Sequence, residues 1–235
     1  MLYVVPTPIG NLDDLTPRAL KALVSVRAVF CEDTRRTRKL FSHFNIQTPL
    51  LRYNERDERS RQAILERLRG GEDVALVSDG GLPGLSDPGR RIVELARGEG
   101  IGVSALPGAN AAVTALAGSG LAADSFVMLG FLPRSPSKRQ AALRKAAALG
   151  KTVVVYESPF RVLRLLEDAE ACLGPSCRVS CARELTKVHE EWLCGTVAEM
   201  RALLGGRKEL LGEFVVMFGP LEDEEAPEEA EAAPA

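Results

Sequence analysis

The chain has 235 residues, 46% of them hydrophobic and 26% charged, and a formal net charge of −2, a balance typical of a soluble globular protein with one large or two small domains. It contains no apolar run long enough to span a membrane and no N-terminal signal core, so we expect a cytoplasmic protein with no membrane partner. Five cysteines without a CxxC pair and two separated histidines favour neither a disulfide framework nor a metal site.

Strand-like and helix-like segments alternate along the chain. Thr16 before Pro17 is typical of a helix start, and Thr196 followed by Glu199 matches a capping box. Strands are predicted at LYVVP (2–6), RAVFC (27–31), VALV (74–77), IGVSAL (101–106), SFVMLGF (125–131), TVVVY (152–156), RVSCA (178–182) and EFVVMF (213–218). Helical patterns fill most of the intervals between these strands, including a polar stretch at 57–69.

This alternation predicts an α/β protein with mainly parallel or mixed sheets and helices on both faces. The segment GSGLAAD (118–124) has the composition of a linker. We therefore predict an N-terminal α/β domain over 1–120 and a C-terminal α/β domain over 121–220. The segment 221–235, rich in Glu, Ala and Pro, is typical of a disordered acidic tail.

Charge is unevenly distributed along the chain. The tail holds seven acids, so residues 1–220 carry 30 basic and 25 acidic residues and are mildly basic. The segment RSPSKRQAALRKAAALGK (134–151) has six bases and no acid, and a second group comprises Arg35, Arg36, Arg38 and Lys39. Such clusters favour a polyanion such as nucleic acid, although a solvated helix face explains either cluster alone equally well.

The segment VALVSDGGLPGLSDPGRRIV (74–93) is a strand followed by a glycine-rich loop and a helix. Glycine lets the backbone approach a ligand closely, so this arrangement indicates a binding loop. The GxGxG match at 98–102 lies after a helix and before a strand, the reverse of a dinucleotide fingerprint, and is interpreted as a turn. The sequence has no Walker phosphate loop, GxSxG elbow or HExxH motif, which disfavours kinases, serine hydrolases and zincins.

Polar residues concentrate in loops that follow predicted strands. Because ligands of α/β sheets bind at the carboxyl ends of strands, we expect these loops to line one cleft. They are PTPIGN (6–11), CEDTRRT (31–37), SDGGLPGLSDPG (78–89), LPGAN (106–110), YESPFR (156–161) and ARELTKVHEE (182–191).

These loops, together with GEFVVM (212–217), closely resemble the family of ribosomal RNA small subunit methyltransferase I, within the tetrapyrrole (corrin/porphyrin) methylase superfamily of class III methyltransferases. The resemblance covers the chain up to residue 219. It implies a homodimer that binds S-adenosylmethionine in a cleft between two α/β domains and methylates the ribose 2′-oxygen of a cytidine in the decoding centre of 16S rRNA. Family members usually have SDAGTP where this chain has SDGGLP, so no side-chain hydrogen bond is expected from Leu82.

The resemblance implies roles for the cofactor-binding residues, whereas the basic clusters and the need for a base in the reaction indicate the other site residues. The expected cofactor-binding residues are Asp79, Gly80, Pro83, Gly84, Asp87, Gly108, Ala109, Tyr156, Glu157, Ala182 and Phe214. The expected substrate-binding residues are Asn11, Arg35, Arg36, Arg134, Lys138, Arg139 and Arg161. Glu184, Lys187 and Asp33 are the expected catalytic residues, with Glu157 a further candidate for the base and Glu184 ranked first.

Two other functions remain open at the level of sequence. A methyltransferase acting on a small tetrapyrrole would use the same donor loops, although the basic clusters, PTPIGN and YESPFR favour rRNA. A non-enzymatic RNA-binding assembly factor would leave the glycine-rich loop without a purpose.

Overall fold

The structure is a computed structural model that describes residues 1–221, so all but the first residue of the predicted acidic tail lies outside the described residues. The chain divides into two compact units. The first comprises Met1–Ala115 and Arg183–Glu191, and the second comprises Leu116–Ala182 and the described residues of 192–221. The domain boundary at 120/121 stays a prediction. The assignment of 183–191 to the first unit was not anticipated from sequence.

The first unit contains a five-stranded parallel sheet of order β3-β2-β4-β1-β5. Its strands are β1 (Leu2–Val4), β2 (Ala28–Cys31), β3 (Leu50–Arg52), β4 (Val74–Leu76) and β5 (Val103–Ala105). Its helices are α1 (Pro17–Ser25), α2 (Thr34–His43), α3 (Glu58–Arg69) and α4 (Arg90–Gly98), and α5 (Ala111–Gly118) runs across the division between the units.

Alternating side chains in the central strands place helices on both faces of this sheet, as predicted. Val29 and Cys31 of β2 pack with residues of α1 and α2, whereas Ala28 and Phe30 pack with residues of α3 and α4. The strand ends are level, because Val4 of β1 pairs with both Leu76 of β4 and Ala105 of β5. The loops that follow these strands therefore start side by side.

The second unit contains a mixed five-stranded sheet of order β6-β7-β10-β8-β9. Its strands are β6 (Phe126–Phe131), β7 (Thr152–Glu157), β8 (Arg178–Arg183), β9 (Glu191–Thr196) and β10 (Phe214–Phe218), with β6 parallel and β10 antiparallel to β7. Its helices are α6 (Pro136–Ala147), α7 (Val162–Leu173) and α8 (Val197–Gly205).

All three of these helices belong to one hydrophobic core, which differs from the expected covering of both faces. The core takes side chains of one face of the sheet, such as Val153 and Val155 of β7 with Val216 and Phe218 of β10. The mixed strand order accounts for the difference, since an antiparallel partner needs no crossover helix on the opposite face.

Several local sequence signals are confirmed. Thr16 caps α1 with Pro17 as its first residue, the polar stretch at 57–69 forms α3, and Thr196 and Glu199 form the reciprocal capping box of α8. Among the α-helices and strands given above, α2, β3 and β9 were not predicted. None of the helices in the described residues is long and apolar enough to cross a membrane.

Candidate active site

The loops after β2 and β4 are joined by the carboxylate of Asp79. The backbone N–H of Asp33 donates to Oδ1 of Asp79 at 3.3 Å, and Nη1 of Arg36 lies 3.6 Å from Oδ2. Arg35 is mostly exposed and pairs with Asp33, which caps α2. The structure therefore brings four predicted site residues to one end of the first sheet.

The loops after β1, β4 and β5 meet at Gly81. Thr7 and Gly81 exchange two backbone hydrogen bonds, of 3.0 and 2.8 Å. The hydroxyl of Thr7 donates to the carbonyl of Ser78, and that of Ser78 donates to the carbonyl of Gly81. A Cβ atom on Gly81 would lie 3.8 Å from the carbonyl oxygen of Ala109, so three strand-end loops converge on a small volume.

Two glycines of the 78–89 loop have conformational roles. Gly84 has φ +82 and donates its N–H to the carbonyl of Pro88 at 3.1 Å. Gly89 has φ +139, and a Cβ atom there would lie 3.0 Å from the nitrogen of Gly84 and 2.9 Å from Cδ2 of Leu76. Gly84 and Gly89 thus serve the conformation of the loop itself. Gly80 has no positive φ, so a close approach of its backbone to a ligand still explains the glycine there.

Glu55 is a residue of this region that sequence reasoning missed. Its carboxylate accepts hydrogen bonds from the backbone N–H groups of Gly89 (3.1 Å) and Arg91 (2.9 Å), at the start of α4. Helix α4 has Gly89 at its N-cap and no side-chain cap of its own. The absence of a capping side chain at Gly89 could have indicated such a residue from the sequence. When the N-cap residue has no side-chain acceptor, the free N–H groups at the start of a helix need an acceptor from elsewhere.

Negative charge accumulates at this end of the sheet. Burial raises the pKa of Glu32, and the nearby charges of Asp79, Asp87 and Glu55 raise it further. Burial also raises the pKa of Asp87, as does Asp79, against an opposing hydrogen bond from Ser78. Raised carboxyl pKa values mark a site where a cationic ligand would be stabilised.

The loop between β8 and β9 packs against the loop after β1. A Cβ atom on Gly10 would lie 2.5 Å from Cγ of Lys187 and 2.6 Å from the hydroxyl oxygen of Thr186. The N–H of Asn11 donates to that same hydroxyl, and Nζ of Lys187 lies 2.8 Å from Oε1 of Glu184. Two predicted catalytic residues, Glu184 and Lys187, are thus held beside the predicted substrate residue Asn11.

This loop also carries backbone strain. Glu184 has φ +51 and Thr186 has φ +65, which are uncommon values for residues with a Cβ atom. Such conformations persist where surrounding contacts hold them, and they concentrate at functional sites.

The other predicted cofactor residues of the first unit lie in the same loops. Pro83 is buried, and Asp87 and Ala109 are half-buried. Gly108 is exposed, but a Cβ atom there would collide with the ring of Pro6, which gives a packing reason for glycine. Within residues 1–221 no group of three or more metal-ligating side chains was found.

In the second unit, four predicted cofactor residues lie at strand ends. Phe214, the first residue of β10, pairs with Glu157, the last residue of β7. Ala182 and Phe214 are buried, so their backbone is the part suited to ligand contact. Glu157 is also buried, lies 3.3 Å from Arg161 and accepts from the N–H of Ser158, which disfavours it as a base. Tyr156 is half-buried.

The basic segment 134–151 does not form a uniform surface. Arg134 and Lys138 are exposed, but Arg139 is 4% exposed and its Nε donates to Oδ2 of Asp168 at 2.5 Å. Its Nη1 donates to the carbonyls of Pro133 and Arg134. The expectation that Arg139 contacts a phosphate is therefore corrected, because its guanidinium is inside the second unit and already bonded.

Comparison with known proteins shows the family to which the chain belongs. The family model of tetrapyrrole (corrin/porphyrin) methylases matches residues 1–201. The chain belongs to this family, and within it to the family of ribosomal RNA small subunit methyltransferase I. A relative with that name from Halalkalibacterium halodurans is 44% identical over 230 residues, which covers 97% of this chain and 78% of the relative. Another relative with that name, from Synechocystis sp., is 45% identical over a stretch that covers 84% of this chain and 71% of the relative.

Solved structures agree on the fold. Uroporphyrin-III C-methyl transferase from Thermus thermophilus, solved with S-adenyl homocysteine, matches with a TM-score of 0.66 at 18% identity. The match covers 94% of this chain and 97% of that one. The architecture of two α/β units is therefore that of the tetrapyrrole methylases.

Proposed function

We propose that the protein is an S-adenosylmethionine-dependent methyltransferase that methylates the ribose 2′-oxygen of a cytidine in the decoding centre of 16S rRNA. The observation that carries the proposal is the 44% identity over 97% of the chain to a ribosomal RNA small subunit methyltransferase I. Solved relatives that act on tetrapyrroles are near 20% identical and support the fold alone.

The residues of the first unit fit the donor. S-adenosylmethionine supplies an electrophilic methyl group on a sulfonium cation. The carboxylates of Asp79, Asp87 and Glu32 provide the negative potential that such a cation requires. The three loops that converge at Gly81 leave little room for side chains, so backbone groups are the contacts that we assign to the donor.

Among the candidate bases we rank Glu184 first, because it has φ +51 and its loop packs against the loop of Gly10 and Asn11; like Asp33 and Glu157, it is paired with a cation. A hydrogen bond from Arg35 lowers the pKa of Asp33, which makes Asp33 a weaker proton acceptor. Glu157 is buried against Arg161. We propose that Glu184 accepts the proton of the attacking hydroxyl and that Lys187, 2.8 Å from it, holds the carboxylate in place.

The test is methyl transfer from labelled donor to purified small ribosomal subunits, followed by nucleoside analysis of the 16S rRNA. The parent should yield 2′-O-methylcytidine. Glu184→Gln should lower kcat by about 10²- to 10⁴-fold while donor affinity by calorimetry stays unchanged. An unchanged kcat would exclude Glu184 as the base, and the absence of labelled rRNA with the parent would overturn the function.

We further propose that the protein is a homodimer and acts in the cytoplasm. The dimer is motivated by the family resemblance, and the location by the ribosomal substrate. Light scattering at micromolar concentration measures the mass of the particle directly, and a monomeric mass would contradict the dimer.

A further inference from the structure

The two most exposed aromatic side chains of residues 1–221 lie at the same end of the second sheet. Phe131, the last residue of the edge strand β6, is 64% exposed, and Phe160, in the turn after β7, is 86% exposed. The ring of Phe131 lies 5.6 Å from that of Tyr156, between centroids. Aromatic side chains usually bury most of their area, so this exposure requires a reason.

Hydrogen bonds connect the backbone that carries these two rings. Nη2 of Arg161, the residue after Phe160, donates at 2.9 Å to the carbonyl of Leu132, the residue after Phe131. Arg161 is also paired with the buried carboxylate of Glu157. The turn after β7 is therefore fixed to the loop after β6, with one exposed ring on each side of the connection.

A second buried arginine fixes the same loop from within the unit. Arg139 donates to the carbonyls of Pro133 and Arg134 and is paired with Asp168, whose other oxygen accepts from Gln140. The loop after β6 is thus held by two guanidinium groups. The exposed rings are mounted on a rigid backbone, which reduces the entropy lost when a ligand binds.

The surroundings of the rings are positively charged. Arg134 and Lys138 are exposed beside the loop, and residues 125–156 contain no acidic residue. An apolar aromatic surface with a basic rim is complementary to a polyanion that has flat apolar faces. Unpaired RNA has both properties, because its bases stack on aromatic rings while its phosphates attract cations.

We propose that Phe131 and Phe160 form a platform on which unpaired bases of the RNA substrate stack, while Arg134 and Lys138 contact its phosphates. This inference rests on the proposed function, in which RNA is the substrate. It assigns a sequence-tolerant contact that positions the RNA, since every base offers a face for stacking.

The test measures binding of a fluorescent single-stranded oligocytidylate, and of an oligoadenylate of equal length, by anisotropy. Phe160→Ala and Phe160→Leu should each weaken binding on the order of 5- to 100-fold, whereas Phe160→Tyr should bind as the parent does. The matched control is Leu149→Ala, an exposed apolar residue of the same unit at the opposite end of β7, which should change nothing.

A salt series separates the two kinds of contact. Phe160→Ala should keep the slope of log affinity against log salt, and Lys138→Ala should reduce the magnitude of that slope by about 0.7. Melting temperatures should match that of the parent, because both side chains are exposed.

Several outcomes would overturn the platform. Parent-like binding by Phe160→Leu would indicate an apolar contact without stacking, and a changed molecular mass for Phe160→Ala would indicate a face for a second copy of the chain. If the parent methylates subunits but Phe131→Ala and Phe160→Ala bind RNA as tightly as the parent does, the platform is wrong and the proposed function stands. A parent that neither binds RNA nor methylates subunits would remove the proposed function as well.

Discussion

Gly10 lies against Lys187 so closely that a Cβ atom on Gly10 would be 2.5 Å from Cγ of that lysine. The two residues are far apart in sequence, and their contact holds the loop after β8 against the loop after β1. The same Cβ atom would lie 2.6 Å from the hydroxyl oxygen of Thr186, which accepts from the N–H of Asn11. The position of Glu184 therefore depends on the absence of a side chain at residue 10.

Gly10→Ala should displace this loop and lower both stability and methyl transfer. Overpacking of this kind destabilises proteins by about 1–3 kcal/mol. The matched control is Gly98→Ala in α4, where a Cβ atom meets nothing within 4 Å and should be neutral or slightly stabilising. Equal melting temperatures for the two variants would contradict this prediction.

Gly84 and Gly80 should respond differently to an added side chain. Gly84→Val should destabilise the first unit, because φ is +82 and a β-branched residue is strained there. Gly80→Ala places a Cβ atom 3.4 Å from the carbonyl oxygen of Pro8, so it should fold but bind the donor more weakly. Thermal melting and calorimetry measure the two effects, and normal donor affinity in folded Gly80→Ala would remove Gly80 from the donor site.

Asp87→Asn should stabilise the protein at neutral pH and weaken donor binding. The pKa of Asp87 is raised in the folded state by burial and by Asp79, so the folded protein favours the protonated form. The stabilisation that comes from protonating Asp87 is fully present below the pKa that Asp87 has in the unfolded chain. It is lost as the pH rises through the pKa that Asp87 has in the folded protein. The stabilisation by Asn should therefore be largest at neutral pH and vanish in acid.

Melting temperatures of Asp87→Asn and the parent across an acid-to-neutral pH series check this prediction. Parent donor affinity should fall as the pH is lowered into the range where Asp87 and Glu32 gain protons. A lower melting temperature for Asp87→Asn at neutral pH would indicate that the ionised carboxylate is stabilising.

Arg139→Ala should destabilise the second unit, whereas Lys138→Ala should not. Removal of Arg139 leaves the buried carboxylate of Asp168 without its cation, which costs about 3–5 kcal/mol for a buried pair. Lys138 is exposed, and its removal should change stability by less than about 0.5 kcal/mol. Chemical denaturation measures the free energy of unfolding of both variants. Equal values would show that the buried pair is dispensable.

Much of the fold was predictable because its signals are local. Apolar strands, the Thr16–Pro17 helix start and the Thr196–Glu199 capping box depend on neighbouring residues, and all are confirmed. The missed elements have weaker signals. Helix α2 has a capping Asp33 but begins with the polar run TRRTRK, and β3 and β9 are half-buried or exposed strands at sheet edges.

The motifs of the strand-end loops were likewise sufficient to predict the family, which the comparisons confirm. Their composition did not reveal which groups contact one another. Arg139 and Lys138 are adjacent bases in the sequence, yet one is buried against Asp168 and the other faces solvent. The same holds for Glu55, which accepts a hydrogen bond from the N-cap residue of α4, 34 residues later. Such pairings depend on contacts between distant segments, which exist only once the sheets and helices have packed and which no local periodicity records.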